Sequence, residues 1–207
     1  MSTRQHELNL GRVAALEHII RDWLHEPELL VLTGRWCDGA VMELVPTAPA
    51  RLTGARYEGR FAGLRDLLLD GAAHHVHLDL GRLTQATYLV SPSVCFGFRP
   101  SFEVRLHAED SDPMDRFALG FGLRRPYRAG KLAAAAVTRY FERFRLHRAA
   151  YPGAVTLVAI DPPVGAAAAP ALDWQALGEL VSGASGEACR SAAELAQLFG
   201  CDEEVAA

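Results

Sequence analysis

An α+β fold dominated by an antiparallel sheet is predicted for this 207-residue chain. Three observations carry the prediction. Four strand-like runs, HHVHLDL, QATYLVS, SFEVRLH and RFALGFGL, succeed one another between residues 74 and 123. The segments joining them, such as GRLT and AEDSDPMD, are shorter than the dozen or more residues that a parallel crossover takes. A long amphipathic helix and one further strand come afterwards, so helices and strands are segregated and do not alternate.

The elements follow in order. Residues 7–25 place Leu10, Val13, Ala14, Leu16, Ile20, Trp23 and Leu24 at helical spacing, with Pro27 just past the end. LLVLTGRW and AVMELVP read as strands joined by a CDG turn, and ARLTGARYEGRF as a third strand. AGLRDLLLDG has Leu64, Leu67 and Leu68 at i, i+3, i+4 and predicts a short helix stopped by Gly71. After the four strands, the helix RAGKLAAAAVTRYFERFRLHRAA carries an apolar stripe of Leu132, Ala136, Val137, Tyr140, Phe141 and Phe144. Arg139, Glu142, Arg143 and Arg148 are expected off that stripe. AVTLVAI is one more strand. Residues 1–161 therefore read as a single α+β domain. Residues 162–207 read as an alanine- and proline-rich linker followed by a C-terminal helical appendage. In that appendage Trp174, Leu177, Leu180 and Val181 form a stripe suited to docking or to a partner.

Composition narrows the function classes. Half the residues are hydrophobic and 22% are charged, enough apolar material for a core. The net charge of −4 gives no global basic field for nucleic acid. The N-terminus MSTRQHELNLGR lacks a signal-peptide apolar run, and no run approaches the roughly 18 residues of a membrane helix, so a cytoplasmic protein is expected. Cys37, Cys95, Cys189 and Cys201 form no C-x-x-C pair and read as reduced, mostly buried thiols. Cys95, flanked by apolar residues in SVCFGF, is expected to be buried and inert.

No nucleophile elbow, P-loop or dinucleotide fingerprint is present. The G-x-G of GFGLRR is followed by two arginines and is a weak signal. AEDSDPMDR reads as a polar turn, not a calcium loop. Two stretches hold candidate chemistry. In HHVHLD, strand alternation puts His75, His77 and Asp79 on one face and His74, Val76 and Leu78 on the other. Two imidazoles and a carboxylate are all metal donors, so His75 and His77 are candidate ligands for a divalent metal. The bland alternative is a metal-free, solvated face. HVHLD also resembles the first metal-binding strand of the amidohydrolase superfamily. That barrel typically needs about 250 residues of alternating strands and helices, which this chain does not offer. The second stretch, GLRRPYRAGK, holds Arg124, Arg125, Tyr127 and Arg128 ahead of a helix. Guanidinium forks suit carboxylates and phosphates, so an anionic small molecule is the expected ligand there; the alternative is a solvated loop with internal salt bridges.

From about Gly59 to Phe144 the chain resembles the bacterial haem-utilisation carrier and haem-degrading family. The carrying pieces are GRFAGLRDLLLDGA, the histidine strand HHVHLDLGRLTQATYLV, PSFEVRLHAED, and RFALGFGLRRPYRAG with the helix after it. The order and spacing agree. Tyr88 stands where the family has a tryptophan, and only Arg99 remains of its basic residues after that strand. The resemblance implies a split-barrel or haem-carrier-like fold and haem binding or transfer in iron acquisition. His75 or His77 would ligate the iron, with Phe96, Phe98 and Phe121 as walls. Arg124, Arg125 and Arg128, with Tyr127, would meet the propionates. Other readings remain: a small metal-dependent hydrolase using the HHVHLD strand, or a non-catalytic accessory protein. There is room for a homodimer in any of them.

Overall fold

The structure, a computed structural model, describes residues 3–35, 40–46, 51–53, 56–63, 73–108, 117–161, 168–182 and 195. Helix α1 (Thr3–Trp23) leads into β1 (Leu29–Arg35) and β2 (Ala40–Pro46). The region expected as one third strand is two, β3 (Arg51–Thr53) and β4 (Arg56–Gly63), which pair with each other. The short helix expected at residues 62–71 and the turn at 108–115 lie largely outside the described residues. Next come β5 (Ala73–Asp79), β6 (Gln85–Ser93), β7 (Arg99–His107) and β8 (Phe117–Leu123). The long helix starts later than its sequence suggests. Residues 127–132 form a small hairpin of β9 (Tyr127–Arg128) and β10 (Lys131–Leu132), and α2 runs from Ala134 to Ala150. Ala129 and Gly130 at the hairpin tip both have positive φ, which closes the turn before the helix can begin. β11 (Val155–Ala159) and α3 (Ala168–Ser182) complete the order.

The predicted α+β class with a mostly antiparallel sheet is what the chain forms. Nine strands make one sheet in the order β11-β6-β7-β8-β1-β2-β4, with β3 and β5 also paired to β4. Among the described residues its one parallel pair is β11 with β6, and α2 carries the chain from the β9–β10 hairpin back to β11. No ladder among the described residues joins β5 back to β11, so the sheet is not a closed barrel.

Alternation sorts the sheet into two faces. Leu29, Val31, Ala86, Tyr88, Val90, Phe102, Val104, Leu106, Leu119 and Phe121 share a core with Leu16, Ile19, Ile20 and Trp23 of α1 and Val137, Tyr140, Phe141 and Phe144 of α2. Trp174 and Leu177 of α3, together with Leu195, belong to that same core. The C-terminal stripe therefore packs inward, with Leu180 and Val181 partly buried beside it. Asp173 fixes α3 to the sheet by accepting from Arg99 Nη2 at 3.0 Å, and a second Arg99 donor reaches its other oxygen.

The opposite face carries no described helix, yet it is also buried at Leu32, Leu89, Ser101, Arg105 and His107. The G-x-G of GFGL belongs here and not to a phosphate turn. Gly120 stands opposite Arg105 and Leu32, and Gly122 opposite Glu103 and Leu30. A Cβ on Gly122 would lie 3.3 Å from both Glu103 Cγ and the Phe102 carbonyl oxygen. The strand is thus thinned where the long side chains of Glu103 and Arg105 lie. Gly122→Ala is expected to destabilise the fold by about 1–3 kcal/mol through overpacking, read from a denaturant midpoint.

Candidate functional site

The histidine strand β5 pairs antiparallel with β4, setting His75 opposite Arg60, His77 opposite Glu58 and Asp79 opposite Arg56. Register carries this placement across the sheet. Val31, on the helix face, stands opposite Leu44, and Leu44 stands opposite Gly63. Counting along β4 then puts Phe61, Gly59 and Tyr57, with their partners His74, Val76 and Leu78, on the helix face. His75, His77 and Asp79 fall on the helix-free face, the one that holds Glu103, Arg105 and His107. The expected split between His74 and the other two histidines is therefore a split between the two faces of one sheet.

The basic turn lies elsewhere. β4, β2 and β1 separate β5 from β8, which is about 19 Å along the sheet at roughly 4.8 Å per strand. The histidines and the arginines do not occupy neighbouring strands. Arg124 extends the β1–β8 ladder by one step, its N–H donating to the Glu28 carbonyl at 2.8 Å. Glu28 accepts from the Arg124 side chain at 3.1 Å and lies 3.5 Å from Arg128, so much of the turn's charge is matched internally. Among the described residues nothing accepts from the buried Arg124 Nε, and Arg125 is exposed. Tyr127 donates to the Pro100 carbonyl at 2.8 Å, lies under the Arg99 guanidinium at 3.6 Å and meets the edge of Phe96.

Two side-chain expectations are overturned. Phe121 lines no open slot: it is fully buried on the helix face, stacked on Trp23. Cys95 is exposed in the short 3-10 turn Val94–Phe96, because the β6–β7 hairpin projects its apolar tip outward, with Val94 and Phe98 exposed beside it.

A third constellation was not anticipated. Arg139, Arg143 and His147 lie four residues apart on α2, while Asp22 lies in the last turn of α1 and Glu26 in the turn just past its end. Glu26 accepts from Arg143 Nη1 at 2.7 Å and Arg139 Nη2 at 2.8 Å. Arg143, expected off the apolar stripe, is buried between the helices and also lies 3.4 Å from Asp22. His147 Nδ1 meets the Tyr88 hydroxyl at 2.6 Å, and its Nε2 lies 3.3 Å from Asp22. Trp23 Nε1 reaches the same Tyr88 oxygen at 3.2 Å. An indole N–H only donates, so Tyr88 accepts from Trp23, and with the Asp22 carboxylate as acceptor at Nε2 of a neutral His147, Nδ1 is left to accept from the Tyr88 hydroxyl. That assignment leaves the His147 N–H on Nε2, facing Asp22.

Burial, with smaller contributions from His18 and Arg143, pulls the His147 pKa down from 6.5 to about 4 against the pull of Asp22. A base with a depressed folded pKa stabilises the fold fully above its unfolded value, and that contribution is lost as pH falls from 6.5 towards 4. It corresponds to about 3 kcal/mol at roughly 1.4 kcal/mol per pK unit. Unfolding free energy measured between pH 7 and 4 should therefore fall by that order. His147→Gln should flatten the dependence while lowering stability at pH 7.

Among the described residues no group of three or more His, Cys, Asp or Glu is placed to hold a metal ion, and no helix is long and apolar enough to cross a membrane. His75 and His77 are placed by backbone register. Searches against protein-family models and curated proteins find nothing that matches the chain.

Proposed function

We propose that this chain binds haem and passes it on in haem utilisation, with the haem held at the β5 end of the helix-free face. One observation carries the reading: register places His75 and His77 together on that face, with Arg60 directly opposite His75. An imidazole for the iron and a guanidinium for a propionate are the two polar requirements of a haem site, and residues of both kinds hold paired register positions on this ladder. The order of strands, basic turn and helix also follows the haem-carrier resemblance, which favours a haem-carrier-like fold. Arg124, Arg125 and Arg128 lie too far along the sheet to be the first propionate partners of a haem ligated from β5. Arg60 takes that role, and the exposed Arg125 and Arg128 keep the turn suited to a second anionic group. The accessory reading loses its main support, since the stripe of Trp174 and Leu177 packs into the chain's own core.

Titration of the purified protein with haemin should produce a shifted Soret band saturating at one equivalent. His75→Ala combined with His77→Ala should remove the shift, and Arg60→Ala should weaken binding while leaving the band position intact. No shift in the wild-type protein, or one indifferent to the double substitution, would sink the proposal.

A further inference from the structure

We propose that the β6–β7 hairpin tip is a membrane-docking wedge: its apolar residues enter the interface of an anionic lipid bilayer, and the cations of the adjoining β9–β10 hairpin meet the lipid phosphates. Both hairpins stand at one end of the sheet, since β7 begins where its antiparallel neighbour β8 ends. They are fastened to each other. The Tyr127 ring of the second meets Phe96 of the first edge-on at 5.7 Å, and its hydroxyl donates to the Pro100 carbonyl. Arg99 lies over the Tyr127 ring and donates from Nη2 to the Gly130 carbonyl at 2.9 Å. The two tips therefore make one surface.

That surface has an apolar part held out at a cost. Among the described residues only three large hydrophobic side chains are exposed, and Val94 at 72% and Phe98 at 41% are two of them. Phe98 also holds a φ of 65°, a left-handed backbone that glycine and asparagine adopt readily and a bulky aromatic residue does not. Ala129, the other described non-glycine residue with positive φ, is at the tip of the second hairpin. Strain of this kind persists where the surroundings use it. Here it keeps an aromatic ring in water, and burial in a lipid interface recovers the cost.

The charge is complementary to anionic headgroups. Arg125, Arg128 and Lys131 are all exposed beside the tip. The acids among them are largely enclosed, Glu28 against Arg124 and Arg128 and Asp173 against Arg99. Asp161, exposed just past β11, is on the other side of β6 from these cations. Size favours lipid over a protein partner. A stable protein interface takes about 800 Å² per partner around a packed apolar core, more than a projecting tip with two large apolar side chains offers. A bilayer interface accepts a small convex wedge, and flanking cations add their attraction to anionic lipid. In the strand order this hairpin is far from β5, so the inference does not rest on the haem reading.

The test is co-sedimentation of the full chain, without haem, with vesicles of phosphatidylglycerol mixed with phosphatidylcholine and with vesicles of phosphatidylcholine alone. Wild type should bind the mixed vesicles and leave the neutral ones, and added salt should weaken the binding. Arg125→Gln combined with Lys131→Gln should weaken it about tenfold or more. Phe98→Asn should also weaken it about tenfold. Its urea midpoint should stay at or above that of wild type, because asparagine tolerates the left-handed backbone. Val94→Ser should act in the same direction as Phe98→Asn. Absence of binding to mixed vesicles, or equal binding to neutral ones, overturns the wedge. So does binding that the charge variant lowers and both apolar variants leave intact. A concentration-dependent dimer in sedimentation velocity that Phe98→Asn dissociates also overturns it, since the tip is then a contact between copies.

Discussion

Deleting residues 162–207 is expected to abolish the cooperative unfolding of the sheet, not to release a dispensable tail. Trp174 is 5% exposed and Leu177 and Leu195 are essentially buried, all in the core shared by α1, α2 and the sheet. The deletion also strips Arg99 of its carboxylate partner, Asp173. A single Trp174→Ala substitution should cost about 3–5 kcal/mol as a large-to-small change in a packed core. Whole domains are stable by only about 5–15 kcal/mol, so that loss is a large share of the total. Urea unfolding followed by circular dichroism is the measurement. A truncated chain that unfolds at the full-length midpoint would show that α3 is an appendage after all.

Glu26→Gln should be similarly damaging, at about 3–5 kcal/mol, because it breaks a buried ion pair from one side. The Glu26 side chain is fully enclosed and is the shared acceptor of Arg139 and Arg143. Without its charge, Arg143 remains buried with only Asp22 at 3.4 Å. The pH dependence carries the same signature. Burial pushes the Glu26 carboxyl up, but the two arginines outweigh it and hold it below 4.5. The stabilisation is therefore present above pH 4.5 and lost as pH falls through the lower folded value. With His147 failing first, acid stability should decline in two stages, and Glu26→Gln should remove the lower one. An unchanged acid limb in that variant would contradict the account.

The parts of the fold that sequence exposes are those where one residue period dominates. AVMELVP spans the whole of β2, and HHVHLD lies within β5, because an alternating or β-branched run of this length fits a strand. Pattern fails where tertiary partners decide. Lys131 and Leu132 look like the start of a helix but lie in a hairpin closed by positive φ at Ala129 and Gly130. Cys95 sits among apolar letters that prove to be the outward tip of a hairpin. Gly120 and Gly122 look like a ligand loop, although their role is to leave room for Glu103 and Arg105 on the next strand. The buried charge network had a readable signal: Arg139, Arg143 and His147 form a basic column at i, i+4 on a helix that must pack, and Asp22 and Glu26 are two acids flanking the end of α1. Only the fold reveals that the two sets meet.

The central claim is that the helix-free face at β5 is a haem seat. The most direct measurement is an amide ¹H–¹⁵N map of the protein titrated with gallium protoporphyrin, a diamagnetic stand-in for haem. The largest shifts should fall on His75, His77 and Arg60, weakening across the sheet towards β8, with the amides of α1 and α2 little moved. Shifts centred on α1 and α2, or none at saturating porphyrin, would contradict it.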